Sequence, residues 1–115
     1  MAARVQFRLR IGDGKSWAIG PGKVALLEAI DQTGSISAAA RKLKMSYKRA
    51  WDLISEMNGS LASPAVTTAP GGRSGGGTKI TPVGRRIVET YREIERSAAA
   101  NAASRIQSLK KLLSR

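Results

Sequence analysis

Five of the nine residues from Arg41 to Arg49 are basic and none is acidic. Chemistry in this chain has to start from that cluster, because the common catalytic groups are missing. The 115 residues contain no cysteine and no histidine. That removes thiol nucleophiles, disulfides, zinc sites built on Cys or His, and histidine acid–base catalysis. Glu28 with Asp31, and Glu89 with Glu93, are carboxylate pairs at helical spacing. With no histidine or metal-ligand motif beside them, they read as solvated helix faces. Two glycine-containing stretches approach a nucleotide-binding loop and fail its pattern. In the run Gly71 to Lys79, Thr78 comes before the lysine, and Gly14-Lys15-Ser16 has Leu9 where the upstream glycine belongs. The sequence predicts no cofactor and no enzyme. What remains is recognition by charge.

That charge is lopsided. Twenty basic residues face 8 acidic ones, for a net charge of +12. A pI near 11.2 on so short a chain points to a polyanionic partner, with nucleic acid ahead of an anionic membrane. Apolar residues make up 42%, enough for a core, and the length suits one domain rather than two. No apolar run approaches the roughly 20 residues of a membrane span. The opening MAARVQFRLRIG alternates charge with apolar side chains and lacks the apolar stretch of a secretory leader. We expect a cytoplasmic protein with no membrane partner.

The elements that must position the basic cluster follow from periodicity. Val5, Phe7, Leu9 and Ile11 alternate with Arg4, Gln6, Arg8 and Arg10, which predicts a half-buried strand. Gly12-Asp13-Gly14 marks a turn, and Trp17 and Ile19 alternate beyond it, so residues 1–20 read as a hairpin. After Gly20-Pro21-Gly22, Val24, Leu27 and Ile30 mark an amphipathic helix ending before Gly34. A second helix carries Ile36, Ala39, Ala40 and Leu43, capped by Ser37 or by Ser35. Lys44-Met45-Ser46 interrupts. Ser46 then caps a third helix with Ala50, Leu53, Ile54 and Met57 on one face, and Asn58-Gly59 is a plausible stop. "AVTTA" and "TKIT" flank a glycine-rich tip and read as a two-stranded ribbon over 64–81. Thr81-Pro82 starts a long helix whose apolar positions run from Val83 to Leu113. Such a helix outreaches a small core, so part of its stripe needs another chain.

Two helices joined by a short turn form a DNA-binding helix-turn-helix, here over 37–58 within a helical core of 23–58. The third helix would lie in the major groove with its first turn toward base edges. Ser46, Tyr47, Lys48 and Arg49 occupy that turn. Lys or Arg can donate to guanine O6 and N7, and the hydroxyls can reach a base or a phosphate. The plain alternative for these four is an ordinary capped, solvated helix start. The ribbon adds weight, because no acidic residue lies between Glu56 and Glu89, while Arg73, Lys79, Arg85 and Arg86 do. Its glycines let backbone amides approach phosphates, with Arg73 reaching a groove or the backbone. Tyr47 and Trp51 share a helix face. Trp51 fits a seam between helices better than it fits a stacking role.

The blocks Gly34-Ser35-Ile36-Ser37, Ser46-Tyr47-Lys48, Ala50-Trp51-Asp52, Glu56-Met57-Asn58 and Gly71-Gly72-Arg73-Ser74-Gly75-Gly76-Gly77 together resemble the N-terminal DNA-binding domain of the ModE molybdate-responsive regulators, a winged helix related to the LysR-type regulators. The resemblance covers about Leu26 to Tyr91. It implies a mainly α fold with small β (α+β), a winged helix-turn-helix with an N-terminal hairpin and a long C-terminal dimerisation helix over 82–113. It implies a homodimer through that helix, bound to double-stranded DNA in a bacterial cytoplasm, and regulation of molybdenum-related genes. The candidate contact set is Ser35, Ser37, Ser46, Tyr47, Lys48, Arg49, Arg73, Ser74, Gly76 and Lys79. No stretch resembles an oxyanion pocket, so DNA binding carries over and molybdate sensing does not. The trailing AAANAASRIQSLKKLLSR is unlike the family's linker, which suggests a short stand-alone form rather than a piece of a longer protein. Two other functions fit the charge less well: a nonspecific architectural nucleic-acid binder, and a protein-interaction adaptor working through the long helix.

Overall fold

The computed structural model describes residues 3–69 and 77–113. In chain order the elements are β1 (Ile11–Gly12), β2 (Trp17–Ile19), α1 (Pro21–Thr33), α2 (Ile36–Lys42), α3 (Tyr47–Ser60), β3 (Val66–Thr68), β4 (Thr78–Ile80) and α4 (Pro82–Lys110). The class is mainly α with two small antiparallel sheets, β1-β2 and β3-β4, the arrangement of a winged helix-turn-helix.

α1, α2 and α3 close around one core. Leu26, Leu27 and Ile30 come from α1, Ile36, Ala39 and Ala40 from α2, and Ala50, Leu53, Ile54 and Met57 from α3. Ala65 and Val66 at the start of β3 seal it. Leu26, Leu27, Ile30 and Met57 are fully buried, each contributing about 2 kcal/mol by removal from water. The helical spacing in the sequence is what brings these positions to one face each.

The break between α2 and α3 is closed by backbone. The Met45 amide donates to the Ala40 carbonyl at 3.0 Å, and the Lys44 amide to Arg41 at 3.1 Å. These are the two bonds of a Schellman motif, which needs a left-handed residue in the middle. Lys44 takes that role, with φ 58. Glycine would do so without strain, and a lysine there costs about 1–2 kcal/mol. The side chain it contributes is one more exposed cation.

The N-terminal strand is much shorter than the alternation predicts. The ladder is confined to Ile11–Gly12 against Trp17–Ile19, with an irregular register between Ile11 and Gly12. Residues 3–10 join no sheet. Alternation still sets their inward side, because Phe7 and Leu9 are half-buried, but Val5 and Ile11 remain 48% exposed. A strand needs partner amides, and the chain turns back at Asp13 after two residues. Asp13 Oδ1 accepts from the Lys15 and Ser16 amides at 2.9 and 3.1 Å, which closes the turn and lowers the Asp13 pKa.

α3 runs past the stop expected at Asn58-Gly59 and ends at Ser60. Asn58 is a bracket for the wing instead. Its Oδ1 accepts from the Ala65 and Val66 amides at 2.8 and 3.3 Å, and its Nδ2 donates to the Val66 carbonyl at 3.0 Å. The carboxylates Glu28 and Asp31 are likewise more than a solvated face. Arg92 grips Glu28 with Nε at 3.0 Å and Nη2 at 2.5 Å, and Glu95 with Nη1 at 2.7 Å. Arg85 reaches Asp31 at 3.3 Å. The Arg92–Glu28 and Arg85–Asp31 pairs fasten α4 to α1. Glu28, and then Glu95, raise the Arg92 pKa above its ordinary value.

α4 has 29 residues, about 43 Å of helix. Thr81 caps it, accepting from the Gly84 amide at 3.1 Å, with Pro82 in the first turn. The helix ends at Lys110 rather than continuing to 113. Only Gly84 and Tyr91 along it are buried. Tyr91 donates its hydroxyl proton to the Leu9 carbonyl at 2.9 Å and so holds the N-terminal segment. Beyond it, Ile94, Leu109 and the post-helical Leu112 and Leu113 are exposed.

Candidate nucleic-acid interface

Three elements converge on one surface. α2 brings its first turn, α3 its first two turns, and β3-β4 their outer residues. Gly34, Ser35, Ile36, Ser37, Tyr47, Trp51, Thr68 and Thr78 line a shared open groove there. The juxtaposition is built by backbone bonds. The Thr78 amide donates to the Gly34 carbonyl at 3.2 Å, which ties β4 to the α1–α2 corner. The Thr81 amide donates to Ala65 at 2.9 Å, and Thr81 Oγ1 to Pro64 at 2.7 Å.

Two serines cap the two helices. Ser35, not Ser37, caps α2, accepting from the Ala38 amide at 3.1 Å. Ser46 caps α3, accepting from the Arg49 amide at 3.0 Å. In each case the hydroxyl accepts within the protein, which leaves its proton to donate outward to a phosphate or base. Ser37 is half-buried in the first turn of α2.

At 100° per residue, Ala50, Leu53, Ile54 and Met57 of α3 face the core and Lys48, Asp52 and Ser55 face away. Lys48 is 84% exposed and pairs with Asp52 at 3.1 Å. An exposed i,i+4 pair holds by at most about 1 kcal/mol, so the ammonium is readily given up to a stronger anion. Tyr47 is 55% exposed, on the flank toward the wing. Trp51 packs against the core and meets the Tyr47 ring in a T-shaped contact, with centroids 6.2 Å apart. It is a seam residue that fixes where Tyr47 points. Arg49 is exposed on the opposite flank.

Lys79 is exposed in the middle of β4, opposite Thr67. Arg73, Ser74 and Gly76 fall outside the described residues. Thr68, Thr78 and the bracket Asn58 were not among the residues expected to matter. A threonine in a β-prone run gives no sign of facing a groove, and Asn58 carries the same residue type that stops helices. Arg85 belongs to the α1–α4 fastening rather than to the wing's free charge. Among the described residues, no cluster of metal-ligating side chains occurs, and no helix is long and apolar enough to cross a membrane.

A short capped helix set against a braced one, with a two-stranded wing beside it, defines a winged helix-turn-helix. The comparison with known families agrees. Residues 22–85 match the bacterial regulatory helix-turn-helix proteins of the lysR family, and the chain belongs to that family. It therefore carries a bacterial regulatory helix-turn-helix domain. Among curated proteins it is 50% identical over 91 residues to the molybdenum-pterin-binding protein MopB of Rhodobacter capsulatus, covering 79% of this chain and 34% of that protein. It is 44% identical over 94 residues to the molybdenum transport protein ModE of Azotobacter vinelandii, covering 82% and 35%. It is 42% identical over 71 residues to the DNA-binding transcriptional dual regulator ModE of Escherichia coli, covering 62% and 27%. The chain thus spans about a third of the length of these relatives.

Proposed function

We propose that this chain is the reading head of a dimeric, sequence-specific transcription regulator that acts on molybdenum-related genes in the cytoplasm. The observation that carries the reading is the convergence of Ser35, Ser37 and Tyr47 on one groove with the wing's Thr68 and Thr78, next to the cap Ser46 and the exposed Lys48 of α3. Tyr47 and Lys48 reach for base edges, and Ser35, Ser37, Ser46 and Lys79 hold phosphates. Arg73, Ser74 and Gly76 of the wing tip extend the contact along the backbone. The molybdenum connection rests on the names of the relatives.

Pairing of two copies is supported by α4. Ile94 and Leu109 lie exposed on its stripe, and an open apolar groove runs beside Val83, Ile87 and Ile94 under Leu9 and Ile19. A twofold dimer would set two recognition helices one turn of DNA apart, about 34 Å, and select a palindrome.

Competition binding at fixed salt tests the reading. A site selected from genomic fragments is challenged with scrambled duplex, and preference by about 10³-fold or more is expected. Lys48→Ala should reduce that preference. Equal affinity for both duplexes would leave an architectural binder driven by charge alone, and would remove specificity from the proposal.

A further inference from the structure

A second charged surface lies on the other side of α3. Arg8, Arg10, Trp17, Lys23, Arg49 and Glu56 line an open groove between the N-terminal hairpin and the flank of the recognition helix. The one carboxylate there is already engaged. Glu56 pairs at 3.2 Å with Lys23, which is only 6% exposed and also donates to the Trp17 carbonyl. Arg8, Arg10 and Arg49 are exposed, and none of them takes part in an ion pair among the described residues. Three unpaired guanidinium groups along one groove, above a neutralised acid, make a site for a row of phosphates.

The placement is fixed rather than incidental. Tyr91 anchors the Leu9 carbonyl, and Leu9 is half-buried, so its two neighbours stand on the solvent side. Arg10 lays its stem against Gly20, where an added Cβ would sit 3.5 Å from Arg10 Cγ. On α3, Arg49 and Glu56 fall on one flank and Tyr47 and Trp51 on the opposite one, with Lys48 and Asp52 between. A helix about 10–12 Å across fills a major groove about 12 Å wide and meets a phosphate wall on each side. The wing attends one wall.

We propose that Arg8, Arg10 and Arg49 bind the DNA backbone at the other wall, making the segment before the N-terminal hairpin a second phosphate clamp. This rests on α3 being the recognition helix, so the test separates the two ideas. The full chain is titrated on its preferred duplex and on random duplex across a salt series, beside the double variant Arg8→Ala/Arg10→Ala. Losing two phosphate contacts should flatten the slope of log K against log salt by about 2 and weaken both duplexes alike, by about 10- to 100-fold at moderate salt. The specificity ratio should stay within about threefold, because phosphate contacts carry no sequence. Arg8→Lys/Arg10→Lys should keep the slope, which guards against a folding defect. Arg96→Ala, exposed on the side of α4 away from Ile94 and Leu109, should change nothing. An unchanged slope in the alanine variant overturns the clamp while leaving specific binding standing, and so does a loss confined to the preferred duplex. If wild type shows no preference, sequence reading by α3 fails and the clamp at the far wall falls with it, and the slope then shows only whether Arg8 and Arg10 meet phosphates. If wild type binds no duplex, both fail.

Discussion

Gly84→Ala should destabilise this protein, against the ordinary rule for helices. Gly84 sits in the first turn of α4, where alanine normally gains about 1 kcal/mol over glycine. Here a Cβ would lie 2.4 Å from the Ala65 carbonyl oxygen and 3.2 Å from Ile80 Cβ. Relief needs a shift of nearly 1 Å, and the obstructing atom is not free to move. Ala65 accepts from the Thr81 amide at 2.9 Å, and its own amide is held by Asn58 at 2.8 Å. Overpacking of this kind costs about 1–3 kcal/mol, and losing the Thr81 bond adds about 1. After the helix-propensity gain, the net loss is about 1–3 kcal/mol. With an m value near 1.5 kcal/mol/M for a chain this size, the urea midpoint should fall by about 1–2 M. Gly59→Ala in α3, where nothing lies within 4 Å, is the control and should be neutral or slightly stabilising. Both are compared at one protein concentration, since any self-association would move the midpoint. A Gly84→Ala protein as stable as wild type, or more so, would refute the claim that α4 docks against the wing root at that carbonyl.

Asn58→Ala should cost about 2–4 kcal/mol, because it strands the Ala65 and Val66 backbone groups where the chain is buried; urea unfolding measures it, and salt-dependent DNA affinity should drop with the misplaced wing. Tyr91 gives a pH prediction. Burial, with help from Glu95, raises its phenol pKa above the ordinary 10.0. The stability this contributes is therefore whole below pH 10 and is lost as pH climbs toward the folded-state pKa. Thermal unfolding followed from pH 9 to 11 should show a decline that Tyr91→Phe lessens, at a cost of about 1 kcal/mol at neutral pH for the Leu9 hydrogen bond.

The parts that could be read in advance share one property: their signals are local. The caps at Ser46 and Thr81, the proline after Thr81 and the three- and four-residue spacing in α1, α2 and α3 act within a turn or two. The glycine-poor break at Lys44 was legible as a break, though not that a lysine would take the left-handed position. What escaped depends on partners far along the chain. Arg92 meets Glu28 across 64 residues and Arg85 meets Asp31 across 54, so these carboxylates look solvated in sequence. The alternation from Val5 to Ile11 reports which side chains face inward and cannot report that no neighbouring strand supplies amides. At the candidate interface, residue types announced the cations, while Asn58, Thr68 and Thr78 take positions that only the folded wing defines.

The paired guanidinium contacts of Arg92 and Arg85 turn α4 from an appendage into a lever. Bolted at its root to α1, the shaft is joined to the core that holds α3. If two shafts meet along their apolar edge, a pivot of about 10° there would swing each reading head by several ångströms, on the scale of one base-pair step. Anything that grips the far end of the shaft, near Leu109, would then tilt α3 from a distance.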